Sequence, residues 1–415
     1  MFRNYRRFLI AALALCMSAA GMGQKAARPD RQFQVVGYFT EGGAKSGNFT
    51  LKNVASSGAA GRLTQLDYAF GRVAENQCQV ADRETALNHA YTTADSVDGS
   101  ADPAGPDQLR GTFHQLQELK RRFPKLKVLI SFGGWNQSGG FSSAAQPEHV
   151  RDFVRSCIDT FIRGHFAPGI EAPGIFDGID IDWEYPVVGG GGPGQPEDSK
   201  HFTAMLAEFR HQMDSLRPGL LLTAALPAEA ELYEGIELRA ISRYLDYLSI
   251  MAYDEHWSTE PLSNLHSALF HDPADPSQPP ADKRYGDYAV RGFLAAGVPR
   301  KKIVFGVPFY GKGWDGVKDV NHGLYQPASG PADALSYTGL KALPATSDRH
   351  YYEQAGTCTL WHEGRFWSYD CPEAMQAKMN YIRRHLLGGV MFWELSHDTA
   401  DGELLRILAP GNGTK

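Results

Sequence analysis

Apolar, β-branched runs recur along the chain at 33–39, 63–70, 127–132, 175–184, 220–225, 247–253, 303–308 and 388–393. Short runs of this kind predict buried strands. Between several of them, at 109–122, 148–163, 200–216, 287–296 and 372–387, the apolar positions recur every three to four residues, which predicts amphipathic helices. Eight strands alternating with helices predict an α/β fold, a parallel (β/α)8 or TIM barrel. An open doubly wound sheet is the alternative.

Such a barrel takes about 250 residues, whereas the chain has 415, so loops or an inserted unit must hold the surplus. The longest interval between strands is the last. Within it, residues 312–370 carry aromatic short runs (Ser336-Tyr337, Tyr351-Tyr352, Leu360-Trp361, Phe366-Trp367) separated by turn residues, and a small α+β insertion between strands seven and eight is predicted. The glycine run 189–192, followed by Pro193 and Pro196, predicts a flexible loop after the fourth strand.

The first 23 residues are set apart from the barrel, which is assigned to 24–415. Arg3, Arg6 and Arg7 precede an apolar run at 8–17 and small residues at 18–23, the order of a secretory signal. That run, about 13 residues at most, is short of the roughly 18 needed to span a bilayer. A secreted or periplasmic protein without membrane association is expected. Cys16 follows Leu13-Ala14-Leu15, and the bulky leucine before it argues against lipid attachment. With 43% hydrophobic and 21% charged residues the chain can build one large core and is neither disordered nor collagen-like. A net charge of −6 with no basic stripe excludes nucleic acid as a partner.

Chemistry concentrates in Phe176-Asp177-Gly178-Ile179-Asp180-Ile181-Asp182-Trp183-Glu184-Tyr185-Pro186. Side chains alternate across a strand, so Asp180, Asp182 and Glu184 share one face and Ile179, Ile181 and Trp183 the other. The apolar face packs on helices and the acids look into the barrel. Carboxylates about 6.6 Å apart along a strand repel one another and resist desolvation, so at least one should hold a proton near neutral pH. Pro186 is expected to end the strand and leave Glu184 at the C-terminal mouth, where barrel enzymes keep their chemistry. A calcium loop would need a glycine-bearing turn where Ile181 and Trp183 stand. A solvated edge strand with outward acids is the other bland reading.

This DxxDxDxE pattern resembles that of family 18 glycoside hydrolases, the chitinases. Tyr38-Phe39-Thr40, Tyr68-Ala69-Phe70, Ser131-Phe132-Gly133-Gly134-Trp135, Met251-Ala252-Tyr253-Asp254, Phe309-Tyr310-Gly311 and Phe392-Trp393-Glu394 look like the family's other strand signatures, in its order. The resemblance covers residues 33–407, and the insertion is similar to the small domain that deepens the groove in one chitinase subfamily. It implies hydrolysis of β-1,4 bonds in chitin or N-acetylglucosamine oligosaccharides, of endo type, by a monomer needing no metal or organic cofactor.

A glycosidase needs a proton donor and a nucleophile reaching the anomeric carbon from another side. Glu184, last in the acidic row, is the best donor, acid first and base afterwards. Asp182 stands beside it on the same strand and reads as a tuner of its acidity. Asp180, one step deeper, would hold the second charge, with Ser131 and Tyr38 as hydroxyl donors. Asp177 breaks the two-residue rhythm and is read as structural, capping backbone amides. Asp254 could be an enzyme nucleophile, but the resemblance implies that the substrate's N-acetyl oxygen attacks, with Tyr253, Asp254 and Asp182 positioning the acetamido group and the configuration retained. It also implies that Trp393 floors the cleaved sugar and that Tyr38, Phe70, Ser131, Trp135, Tyr185, Met251 and Tyr310 serve substrate binding. Gly133 and Gly134 are read as backbone room beside the site. A chitin-binding lectin and an endo-β-N-acetylglucosaminidase acting on N-glycans are the rival functions. Intact Glu184, Asp182 and Tyr253 argue against the first, the insertion and the aromatics against the second.

Four cysteines beyond Cys16 allow three pairings. A hairpin turning at Glu363-Gly364 sets Cys358 opposite Tyr369, making Cys371 a diagonal neighbour whose bridge to Cys358 would be strained. The resemblance suggests a bridge between Cys78 and Cys157. No spacing suggests zinc.

Overall fold

The computed structural model describes residues 32–105, 108–190 and 194–410. The signal-like segment with Cys16, and the end of the glycine run with Pro193, lie outside the described residues. Eight strands form a closed parallel sheet: β1 (Gln34–Thr40), β2 (Gln65–Ala74), β3 (Lys127–Gly133), β4 (Gly178–Asp182), β5 (Leu221–Pro227), β6 (Tyr247–Met251), β7 (Ile303–Pro308) and β8 (Gly389–Trp393). Each pairs with the next, and β8 pairs with β1 from Gln34↔Gly389 to Gly37↔Phe392. Closure excludes the open doubly wound alternative, whose outer strands would have free edges.

Two apolar layers hold the barrel. Outward residues such as Phe39, Ile130, Ile179, Ile181, Leu248 and Phe392 are buried against a surrounding shell of helices. That shell includes α1 (Gly111–Arg122), α2 (Val150–Cys157), α3 (Asp198–Leu216), α4 (Gly286–Ala295) and α5 (Pro372–Arg384). In α3 the buried Phe202, Met205, Leu206, Phe209 and Met213 keep the spacing of one helix face. A separate inward cluster, with Val36, Tyr38, Tyr247, Val304 and Met391, fills the barrel.

The acidic strand is shorter than expected. Pairing stops at Gly133↔Asp182, so Trp183 to Pro186 lie past the sheet. Glu184 therefore owes its position to a rim contact rather than to strand alternation, and its backbone N–H donates to Ser138 Oγ at 2.9 Å. β2 runs longer than expected because it turns into an antiparallel hairpin with Gln77–Val80.

Between β7 and β8 lies an antiparallel five-stranded sheet in the order Gly330–Ser336, Tyr310–Asp315, Arg365–Tyr369, Thr357–His362, Asp348–Tyr352. A helix, Tyr337–Ala342, follows its edge strand, and Ser336 Oγ caps it by accepting from Gly339 N at 3.0 Å. The strand Tyr310–Asp315 starts two residues after β7 ends, so alternate residues Tyr310 and Lys312 pass directly beside the barrel mouth. The insertion is tied to the barrel helices through buried Lys378 of α5, which donates to Asp370 and to Ser267 O at 2.6 Å.

Cys78 and Cys157 are bonded, Cα atoms 4.8 Å apart, joining the β2 hairpin to α2. Cys358 and Cys371 are bonded as well, with Cα atoms 5.8 Å apart, against the expectation of a strained diagonal. Cys358 does lie opposite Tyr369. The sheet ends there, however, and Cys371 already caps α5, so it is not held at the diagonal position of a continued strand.

Candidate active site

At the C-terminal ends of the strands the barrel opens into a cavity of about 360 Å³. Its chemistry rests on a carboxylate that does not reach it. Asp180 of β4 is 2% exposed and accepts hydrogen bonds from Tyr38 Oη at 2.9 Å, Ser131 Oγ at 2.8 Å and Thr223 Oγ1 at 2.6 Å. The parallel register explains two of these donors, since Ser131 on β3 and Thr223 on β5 are the direct neighbours of Asp180. Burial pushes the Asp180 carboxyl up and the three hydroxyls pull it back. Ser131, grouped above with the substrate-binding residues, is fully buried beneath the cavity and supports Asp180 instead.

Asp182 lines the cavity and is 3% exposed. Its Oδ1 has no hydrogen-bond partner. Burial, then the charges of Glu184, Asp180 and Asp67, raise its carboxyl well above the usual range, so it holds a proton at neutral pH. Its carbonyl oxygen accepts from Gly134 N at 2.8 Å and Ser138 Oγ at 3.1 Å. That close approach requires glycine: Gly133 has φ +112°, and a Cβ there would stand 2.0 Å from Asp182 O. Gly134, at φ +77°, similarly leaves room for the Phe70 ring.

Glu184 lines the cavity above Asp182 in chain order. Burial raises its carboxyl to about 7, against a hydrogen bond with Tyr185 and with the help of the Asp254 charge. Asp254, just past β6 in the left-handed region at φ +60°, has the opposite character. Burial pushes it up, but His266 and the Lys312 ammonium hold it well below the usual carboxylate range. Lys312 Nζ lies 2.8 Å from its Oδ1, and Tyr310 Oη donates to the same oxygen at 2.7 Å. One cavity thus holds carboxyls poised to give a proton and one fixed as an anion.

Aromatic rings form its two ends. Trp393 stacks on Phe70 (centroids 5.7 Å, planes 16° apart) and meets Tyr38 at 5.3 Å. At the other end Trp135, 46% exposed, meets Tyr185 at 6.4 Å and Trp257 at 5.3 Å. Met251, Tyr253 and Tyr310 line the wall between them. Asp177 lies outside the cavity, where its carboxylate accepts from Val128 N at 3.0 Å and Lys120 Nζ at 2.7 Å.

Several participants escaped the sequence reading. Thr223 and Asp67 were legible in kind, being polar residues at inward positions of apolar strands. Lys312, His266, Trp257 and Glu229 come from loops and the insertion, where no periodicity marks which side chains face the cavity.

Residues 34–398 match the profile described as glycosyl hydrolases family 18, and the chain belongs to that family. It is 34% identical over 385 residues to "Chitinase C" of Streptomyces lividans, covering 89% of this chain and 58% of that protein. It is 31% identical to "Chitinase A1" of Niallia circulans, covering 88% of this chain and 56% of that one. The chain thus spans little more than half the length of these relatives. The solved catalytic domain of psychrophilic chitinase B from Arthrobacter TAD20 is 34% identical, with a TM-score of 0.85 over 91% of this chain and 94% of that one.

The buried arrangement gives one direct expectation. Thr223→Val keeps the volume but removes the shortest hydrogen bond to Asp180, and unfolding in urea should show a loss of about 1–3 kcal/mol. An unchanged midpoint would mean that Thr223 does not support the carboxylate.

Proposed function

We propose that the protein is a secreted or periplasmic chitinase that cleaves β-1,4 bonds between N-acetylglucosamine units with retention, using the substrate's own acetamido oxygen as nucleophile. The observation that carries this reading is the division of labour among carboxyls around one cavity. Glu184 is near neutral in proton affinity, Asp182 is protonated above Asp180, and Asp254 is held as an anion by Lys312. The names of the relatives support the substrate, and the signal-like first 23 residues support export.

In this mechanism the sugar to be attacked rests on Trp393, its acetamido group directed toward Tyr253, Asp182 and Asp254. Glu184 gives its proton to the glycosidic oxygen as the bond from that oxygen to the anomeric carbon breaks. The acetamido carbonyl oxygen bonds to the same carbon, forming a cyclic oxazolinium ion. Asp182 and Asp180 share a proton, so negative charge can develop beside the ring nitrogen, and the Asp254 anion steadies the cation without needing to move. Water then attacks the anomeric carbon, the Glu184 carboxylate takes its proton, and the acetamido group is restored. A sugar without the acetyl group lacks the nucleophile, so specificity follows from mechanism.

Replacing the donor tests the assignment. Glu184→Gln should still bind chitin oligomers while kcat falls by about 10²–10⁴-fold; near-native turnover would reject Glu184 as the acid. In the native protein, reducing ends should appear from chitin oligomers and not from a high-mannose glycopeptide. No product from either would indicate a lectin, and release from the glycopeptide alone would indicate an N-glycan hydrolase.

The pH profile tests the tuning. Glu184 must carry its proton to act, so kcat/KM should fall as pH rises through about 7. The Tyr185 hydrogen bond lowers the proton affinity of Glu184, so Tyr185→Phe should move this falling limb to higher pH. A limb that stays put or moves down would contradict the assignment.

A further inference from the structure

The mechanism above leaves one carboxyl of the cavity without a task. Glu229 follows β5 directly, just before the short helix Ala230–Tyr233, and is 7% exposed while lining the cavity. No side chain among the described residues hydrogen-bonds its carboxyl. Burial first of all holds that carboxyl up at about 7, despite its own backbone N–H and the distant pull of Arg284. The Arg284 guanidinium is already engaged by Glu231 at 2.6 Å and stands 3.6 Å from Glu260.

Position and charge narrow what Glu229 could meet. Its charge acts on Tyr185, which belongs with Trp135 and Trp257 to the aromatic end opposite Trp393. If the attacked sugar rests on Trp393, that end receives the unit beyond the cleaved bond. The cavity lining contains four carboxyls (Asp182, Glu184, Glu229 and Asp254) and no lysine or arginine. Only Asp254 has an ammonium beside it, and that ammonium also sits 3.8 Å from the centroid of the Trp257 ring. A cleft of one sign concentrates ligands of the other. A fully acetylated sugar is neutral and leaves Glu229 uncompensated, whereas the ammonium of glucosamine would form a charge-assisted hydrogen bond with it and favour its ionised form.

We propose that Glu229 is a specificity-determining residue that selects a free amine, a glucosamine unit, on the far side of the cleaved bond, making partly N-deacetylated chitin the preferred substrate class. This rests on the substrate-assisted reading, which requires an acetylated unit on the near side only.

Digestion of partly deacetylated chitin by the full chain, with sequencing of both kinds of new chain end, separates the two claims. New reducing ends should be N-acetylglucosamine, as the mechanism demands, and new non-reducing ends should be enriched in glucosamine over the substrate's random composition. Glucosamine at new reducing ends would overturn the mechanism. Acetylated reducing ends with no glucosamine enrichment at the non-reducing ends would overturn the role of Glu229 alone. With defined oligomers, the ratio of kcat/KM for glucosamine over N-acetylglucosamine beyond the bond should be about tenfold in the native protein and fall toward one in Glu229→Gln. A ratio unaltered by that substitution would also overturn the proposal. Because a ratio is taken within one preparation, a poorly folded fraction does not affect it. Should the variant not fold at all, raising the salt concentration over the native protein should shrink the same ratio, and a salt-independent ratio would count against the proposal.

Discussion

Burial of a charge inside a closed sheet is the constraint on which the site depends. Asp180 has no water to solvate it, and an unpaired carboxylate in such surroundings would cost several kcal/mol. Three hydroxyls from three different strands meet that cost, and two of them are fixed by the pairing of β3, β4 and β5. With Asp180 able to carry charge, Asp182 above it can hold a proton and release it inward. A small error in barrel register would move Ser131 and Thr223 to the helix-facing side and leave Asp180 unsupported.

The insertion contributes to the electrostatics as well as to the depth of the cavity. Tyr310 and Lys312 alternate along its first strand and both engage Asp254. Asp254 is thereby ionised in the same cavity in which burial keeps Asp182 and Glu184 protonated. Two environments a few residues apart thus set opposite charge states for chemically alike side chains, which is how one site can both deliver a proton and steady a cation. The catalytic logic couples the barrel to the unit inserted in it.

Much of this was legible in the chain. Period-two and period-3.6 patterns marked the eight strands and the main helices, because each buries one face and polar residues cannot sit there at low cost. The spacing of Asp180 and Asp182 marked an inward acidic face for the same reason. Glu184 was found for a partly wrong reason, since it stands beyond the last strand pair and is held by Ser138. Lys312 and Glu229 carry no periodic signal, because loop and edge positions reach the cavity through tertiary packing. The Cys358–Cys371 bridge was misjudged because the hairpin register, correctly read, stops one residue before the chain turns toward α5.

The central claim is that a carboxyl row and the substrate's own acetamido oxygen act on one anomeric carbon in two displacements. Proton NMR of the first products released from an N-acetylglucosamine hexamer, recorded before mutarotation, tests it most directly. The account requires the β-anomer at the new reducing end; an initial α-anomer would mean a single displacement by water and would contradict it.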